Sequence, residues 1–182
     1  MKTWISILRG INVAGRNPIK MNALREIFIQ LGFSDVQSYI QSGNLIFKSD
    51  VTDSESIEKA ISEQILKTFG FVIPVLVLEQ EVLRNTIKNN PFLNDSSKDP
   101  AYLHITFLSV QPDKEFIDKI SSGNYKPDEY YFGEKAIYLY CPIGYGNTKL
   151  SNTFFEKNLK ITATTRNLKT ANELLAIAEK QL

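Results

Sequence analysis

Two short polar stretches interrupt apolar strand patterns, and they hold the residues with chemistry to offer. The first follows Trp4-Ile-Ser-Ile-Leu8, where the apolar run stops at Arg9-Gly10 and a loop rich in Asn, Gly, Arg and Lys continues to Met21. The second is Ser38-Tyr-Ile-Gln-Ser-Gly-Asn44, which leads into Leu45-Ile-Phe47. Together they offer Arg9, Asn12, Lys20, Gln41, Ser42 and Asn44, with Arg16 beside them. The set contains cations, amides and a hydroxyl, but no carboxylate and no imidazole. Such groups suit a phosphate or carboxylate, particularly beside a helix N-terminus, where unpaired N–H groups and a partial positive charge add to the cations. They poorly suit a divalent metal, which wants carboxylate oxygens. They also lack a general base. No metal and no cofactor is implied, and whether the protein is an enzyme is left open.

Periodicity gives the elements that must position these residues. Residues 3–8 read as a strand and 21–31 as a helix with Leu24, Ile27, Phe28 and Leu31 on one face. Strands at 36–41 and 44–49 flank a Ser42-Gly43 turn. A helix at 55–68 begins at the capping-box pattern Thr52-Asp-Ser-Glu55, and a strand at 71–78 carries Pro74. This βαββαβ order is the ferredoxin-like pattern. A helix at 79–89 leads to a second run of the same order: a strand at 102–109, a helix at 113–121, a hairpin of Tyr130–Phe132 with Ala136–Tyr140, a helix at 151–159 and a strand at 161–165. A last helix begins at Thr170.

The expected fold is therefore α+β, with two ferredoxin-like units, antiparallel sheets and a C-terminal helix. The first unit spans 1–78, a connecting helix and linker 79–100, and the second unit with the C-terminal helix 101–182. In that topology the end of the first strand, the start of the first helix and the hairpin joining the second and third strands share one sheet edge. Taken singly, Asn12 and Asn44 read as turn caps and Ser42-Gly43 as a hairpin turn. Taken together, the set reads as a ligand site.

Composition limits the alternatives. The 182 residues are 43% hydrophobic and 11% aromatic, enough for a packed core, and the formal charge of +1 supplies no global field for nucleic acid. Cys141 and His104 are the sole cysteine and histidine, so neither an intrachain disulfide nor a His/Cys zinc site can form. His104 reads as a strand histidine and Cys141 as a small buried hydrophobe. No apolar stretch approaches a membrane span, and no signal peptide is apparent.

Two further segments carry a reading. Gly144-Tyr-Gly-Asn-Thr-Lys-Leu-Ser151 superficially resembles a phosphate loop but lacks the consecutive Gly-Lys-Ser/Thr of the Walker pattern, so Ser151 reads as a helix N-cap. Thr164-Thr-Arg-Asn-Leu-Lys-Thr170 is either an anion-binding run or a capped helix start. Lys149, Arg166 and Asn167 complete the candidate set. The central strands 3–8 and 44–49 do not project the aromatic pair of an RNA-binding sheet. A nucleic-acid partner is therefore the second reading, behind a small anionic ligand, and a protein-interaction module is the third. Nothing in the pattern fixes an oligomeric state.

Leu8-Arg-Gly-Ile-Asn-Val-Ala-Gly15, Ile19-Lys-Met21, Tyr39-Ile-Gln-Ser-Gly-Asn44, Asn90-Pro-Phe92, Lys149-Leu150 and Thr165-Arg-Asn167 with Thr170 resemble the hallmarks of the bacterial family named domain of unknown function 1697. The resemblance implies a bacterial, cytoplasmic protein with duplicated ferredoxin-like halves. It implies no activity. Ala14 stands where a second glycine is usual, and Leu168 where tryptophan often follows Arg-Asn. The second departure removes an aromatic surface on which a ring could stack.

Overall fold

The computed structural model describes residues 1–181, and the chain divides into two units: Met1–Arg84 with the residues from Glu173 on, and Asn85–Asn172. The first unit contains β1 (Lys2–Leu8), α1 (Met21–Gln30), β2 (Ser34–Tyr39), β3 (Asn44–Ser49), α2 (Ser54–Phe69) and β4 (Val75–Glu79), and α3 (Gln80–Lys88) begins in it. Its sheet has the order β2-β3-β1-β4, with every neighbouring pair antiparallel. Strand alternation sends Trp4 and Leu8 of β1, Leu45 and Phe47 of β3 and Val77 of β4 into one core with Leu24, Ile27 and Phe28 of α1 and Ile57, Ile61 and Ile65 of α2. Each such side chain contributes roughly 1.5–3 kcal/mol on burial. Phe28, Phe33 and Phe47 meet there, with Phe33 and Phe47 stacked at 4.6 Å and Phe28 edge-on to both.

Several boundaries differ from the sequence expectation, each for a local reason. Asp53, rather than Thr52, caps α2: its carboxylate accepts from the Ser56 N–H at 3.0 Å and the Ser56 hydroxyl at 2.5 Å. Those bonds hold the Asp53 carboxyl below its usual range. Gly70 closes the helix at φ 74. The fourth strand begins at Val75, not Phe71, because Pro74 has no N–H for the ladder. Strand β2 lies two residues earlier than expected. Its pairing with β3 slips between Ser34 and Gln37, where Asp35 takes φ 52, and it ends before Ile40 at φ 51.

The second unit contains β5 (Leu103–Leu108), α4 (Lys114–Ser121), β6 (Glu129–Phe132), β7 (Ala136–Tyr140), α5 (Asn152–Leu159) and β8 (Ala163–Asn167). Its sheet has the order β6-β7-β5-β8, again antiparallel throughout. Position for position, this matches the first sheet. Its core gathers Leu108, Ile137, Leu139, Cys141, Phe155, Leu159 and Ala163. Burial pushes the Cys141 thiol up to about 11, as expected of an inert buried hydrophobe. The stretch expected as a linker contains two short 3-10 turns, Pro91–Asn94 and Pro100–Tyr102, capped by the side chains of Asn90 and Asp99.

The last helix, α6 (Leu168–Glu179), starts two residues before Thr170, because Asn167 Oδ1 accepts from the Thr170 N–H at 2.7 Å. The division between units also differs from the 1–78 and 101–182 spans. It falls within α3, after Arg84, and the chain from Glu173 belongs with the first unit. Two contacts explain that membership: Gln181 donates to Asp35 O at 2.7 Å, and Arg84 pairs with Glu179 at 3.1 Å.

Candidate functional site

One end of the first sheet is organised by amides. β3 runs antiparallel to both β1 and β2, so the C-terminal end of β1 and the β2–β3 turn lie together, and the Leu8 N–H donates to Gly43 O at 2.8 Å. Gly43 sits at φ 76, and a Cβ there would approach Leu8 Cβ to 2.7 Å and Ile11 Cδ1 to 2.9 Å. Glycine is required for both reasons.

Asn12 ties the loop to this turn. Its Nδ2 donates to Ile19 O at 2.8 Å and Gln41 O at 2.9 Å, while its Oδ1 accepts from the Ile19 N–H at 2.9 Å. Both ends of one amide therefore clamp the loop before α1 against the β2–β3 turn. Asn17 adds a bond from Nδ2 to Gly10 O at 2.8 Å. Asn12, Ala14 and Asn17 all take positive φ, between 44 and 53, so the loop is tightly coiled.

The structure thus brings Asn12, Lys20, Gln41, Ser42 and Asn44 to one edge, with Arg9 following β1. Asn44 is fully buried and donates to Ser42 Oγ at 2.8 Å and Tyr39 O at 3.2 Å. The Gln41 residue is exposed, and its backbone carbonyl serves Asn12. Arg9 is half-buried, with its backbone N–H donating to Pro74 O at 3.1 Å. Lys20 is exposed and occupies the N-cap of α1, where its side chain has no acceptor for the first-turn N–H groups. No acidic residue lies in that turn. Sequence reasoning missed Asn17 as a loop clamp. Its spacing from Asn12 and Gly10 was the available signal.

Lys149, Arg166 and Asn167 belong to the second unit. Lys149 is exposed, and Ser151 caps α5 by accepting from the Phe154 N–H at 3.2 Å, as the sequence suggests. Asn167 caps α6. Arg166 lies opposite Ile105 in the β5–β8 ladder and donates to Thr165 O at 3.0 Å. Burial pulls its guanidinium down to about 10, with Tyr145 acting the other way. It nevertheless remains charged at neutral pH. His104 stacks on Tyr145 with ring centroids 4.9 Å apart, and burial lowers its pKa, so the ring favours its neutral form.

Among the described residues no group of three or more His, Cys, Asp or Glu could hold a metal ion. None of the described helices is long and apolar enough to cross a membrane.

Two antiparallel four-stranded sheets, joined to an amide-clamped polar edge, define an α+β protein with no metal-binding constellation among its described residues. The chain belongs to a family described as protein of unknown function (DUF1697), whose model matches residues 1–138. A conserved bacterial protein of Streptococcus pneumoniae has a similar structure, with a TM-score of 0.76 and 24% identity, covering 97% of this chain and 98% of that one. At that identity the likeness establishes the fold. No curated protein matches the sequence.

Proposed function

We propose that the first unit binds a small anionic ligand, such as a phosphorylated metabolite, at the edge where α1 begins. The observation that carries this reading is the start of α1. It has no side-chain cap and no first-turn carboxylate, and Lys20 stands exposed at the N-cap position. Its first N–H groups and dipole favour negative charge. Asn12 brings the Gln41-Ser42 turn to this point through Ile19 and Gln41, and Asn44 orients Ser42. In this reading Lys20 and Arg9 supply charge, Ser42 and Gln41 supply polar contacts, and Asn12 and Asn44 position them. Lacking a carboxylate or imidazole, the set supports binding rather than acid–base catalysis.

The two units are, in the same proposal, a duplicated ferredoxin-like fold. Their shared strand order supports this. The working compartment is the bacterial cytoplasm.

The test is a thermal-shift series on the full chain with inorganic phosphate, sugar phosphates and nucleotides, because a ligand that binds the folded state raises its melting temperature. At least one should raise it, and Lys20→Ala should weaken that response. No shift with any of them at millimolar concentration overturns the reading.

A further inference from the structure

The end of the first sheet where α1 begins is also segregated in charge. Three chain segments meet there: the loop after β1, the β2–β3 turn, and the end of α2 with the approach to β4. Residues 3–25, 36–49 and 64–78, which contain these segments, include no carboxylate. Three hydrogen bonds hold the segments together. The Leu8 N–H donates to Gly43 O at 2.8 Å, the Arg9 N–H to Pro74 O at 3.1 Å, and Asn12 Nδ2 to Gln41 O at 2.9 Å. Carboxylates gather at the opposite end instead, where Asp50 pairs with the N-terminus, Glu79 with Lys2 and Asp35 with Lys48. Each of the three segments carries an exposed branched aliphatic residue close in sequence to one of those bonds: Val13 is 55% exposed, Ile40 51% and Val72 80%. Arg16, Lys20 and Lys67 are exposed in the same segments. Val13 and Arg16 bridge the tip of the loop after β1, where the Arg16 N–H donates to Val13 O at 2.9 Å. Ile40 is held at φ 51, a conformation that β-branched residues rarely adopt. A single exposed aliphatic is ordinary. Three on separate segments at one sheet end, among cations and without carboxylates, mark an interaction surface.

We propose that this end of the first unit docks on an anionic phospholipid bilayer. The inference rests on the reading of the same end as an anion site and names lipid phosphate as the anion. Val13, Ile40 and Val72 enter the boundary between headgroups and acyl chains, while Arg16, Lys20 and Lys67 meet the lipid phosphates. Peripheral binding of this kind combines buried apolar area with attraction to anionic lipid. A nucleic acid fits less well, because aliphatic tips give bases no ring on which to stack. The test is flotation of the full chain with vesicles of phosphatidylcholine alone and of phosphatidylcholine mixed with phosphatidylglycerol, beside a gel shift with single-stranded RNA. Saturable binding to the mixed vesicles alone is expected, weakening as salt rises. Arg16→Gln should weaken it roughly fivefold and Val72→Asp about tenfold, while inorganic phosphate still raises the melting temperature of the Val72→Asp protein. No binding to mixed vesicles at low salt overturns the proposal. So do equal binding to the neutral vesicles, unchanged binding of a folded Val72→Asp protein, and RNA binding without vesicle binding. If inorganic phosphate still raises the melting temperature in any of those cases, the anion site stands without the membrane. If it does not, the anion site falls as well.

Discussion

At the end of the first sheet where β1 gives way to the loop before α1, Asn12, Asn17 and Asn44 spend their amides on backbone carbonyls, a backbone N–H and the Ser42 hydroxyl. At the other end Gln80 and Gln181 are buried too, though less deeply than Asn44, and each keeps one amide atom without a partner. The same chemical group thus does different work at the two ends. A satisfied buried amide fixes the path of a chain that has no regular hydrogen-bond ladder. An unsatisfied one carries a desolvation cost with no hydrogen bond to offset it. At the first end, what remains for a ligand is the start of α1 and the exposed Lys20 beside it, rather than the asparagines.

Substitutions at the two ends should therefore differ in sign as well as size. Gly43→Ala should have the largest effect, about 2–3 kcal/mol of lost stability, because the added Cβ collides with Leu8 and Ile11 and the backbone is at φ 76. Urea unfolding measures this, and a loss below about 0.5 kcal/mol would mean that the turn can move and is not the fixed wall described. Asn12→Ala should cost about 1–3 kcal/mol by removing three hydrogen bonds and leaving Ile19 N–H without its acceptor. It should also abolish any phosphate-induced rise in melting temperature, because the Gln41-Ser42 turn is no longer held at α1. A variant that keeps that response would remove Asn12 from the positioning role. Gln80→Met should have the smallest effect, near zero or slightly stabilising, since it replaces an unpaired amide with an apolar chain of similar size. A loss above about 1 kcal/mol in the same unfolding measurement would show Gln80 to be a structural clamp like Asn12, and the contrast between the ends would collapse.

The order of elements was legible in the sequence because the short apolar runs Trp4–Leu8 and Leu45–Phe47 and the spacing of Ile57, Ile61 and Ile65 reflect burial that the structure contains. Boundaries shifted where a side chain outside the pattern took over a cap, as Asp53 and Asn167 do. The shared edge of Asn12, Gln41 and Asn44 followed from topology alone, but the division of labour within it did not. Asn12 bridges Ile19 and Gln41, and that geometry depends on how a loop with several positive φ angles coils. The contact of Gln181 was illegible for a different reason. Gln181 and Asp35 meet across 146 positions of sequence, and no local periodicity records such a contact. The place of the chain from Glu173 in the first unit was hidden by the same distance.

The central claim, that the start of α1 is an anion site, is tested most directly by titrating isotope-labelled protein with inorganic phosphate and following the backbone amide resonances. The account predicts saturable shifts at Met21, Asn22 and Ala23 together with Ser42, weakened in Lys20→Ala. Absence of saturable shifts at these amides at millimolar phosphate, or shifts of equal size in Lys20→Ala, would contradict it.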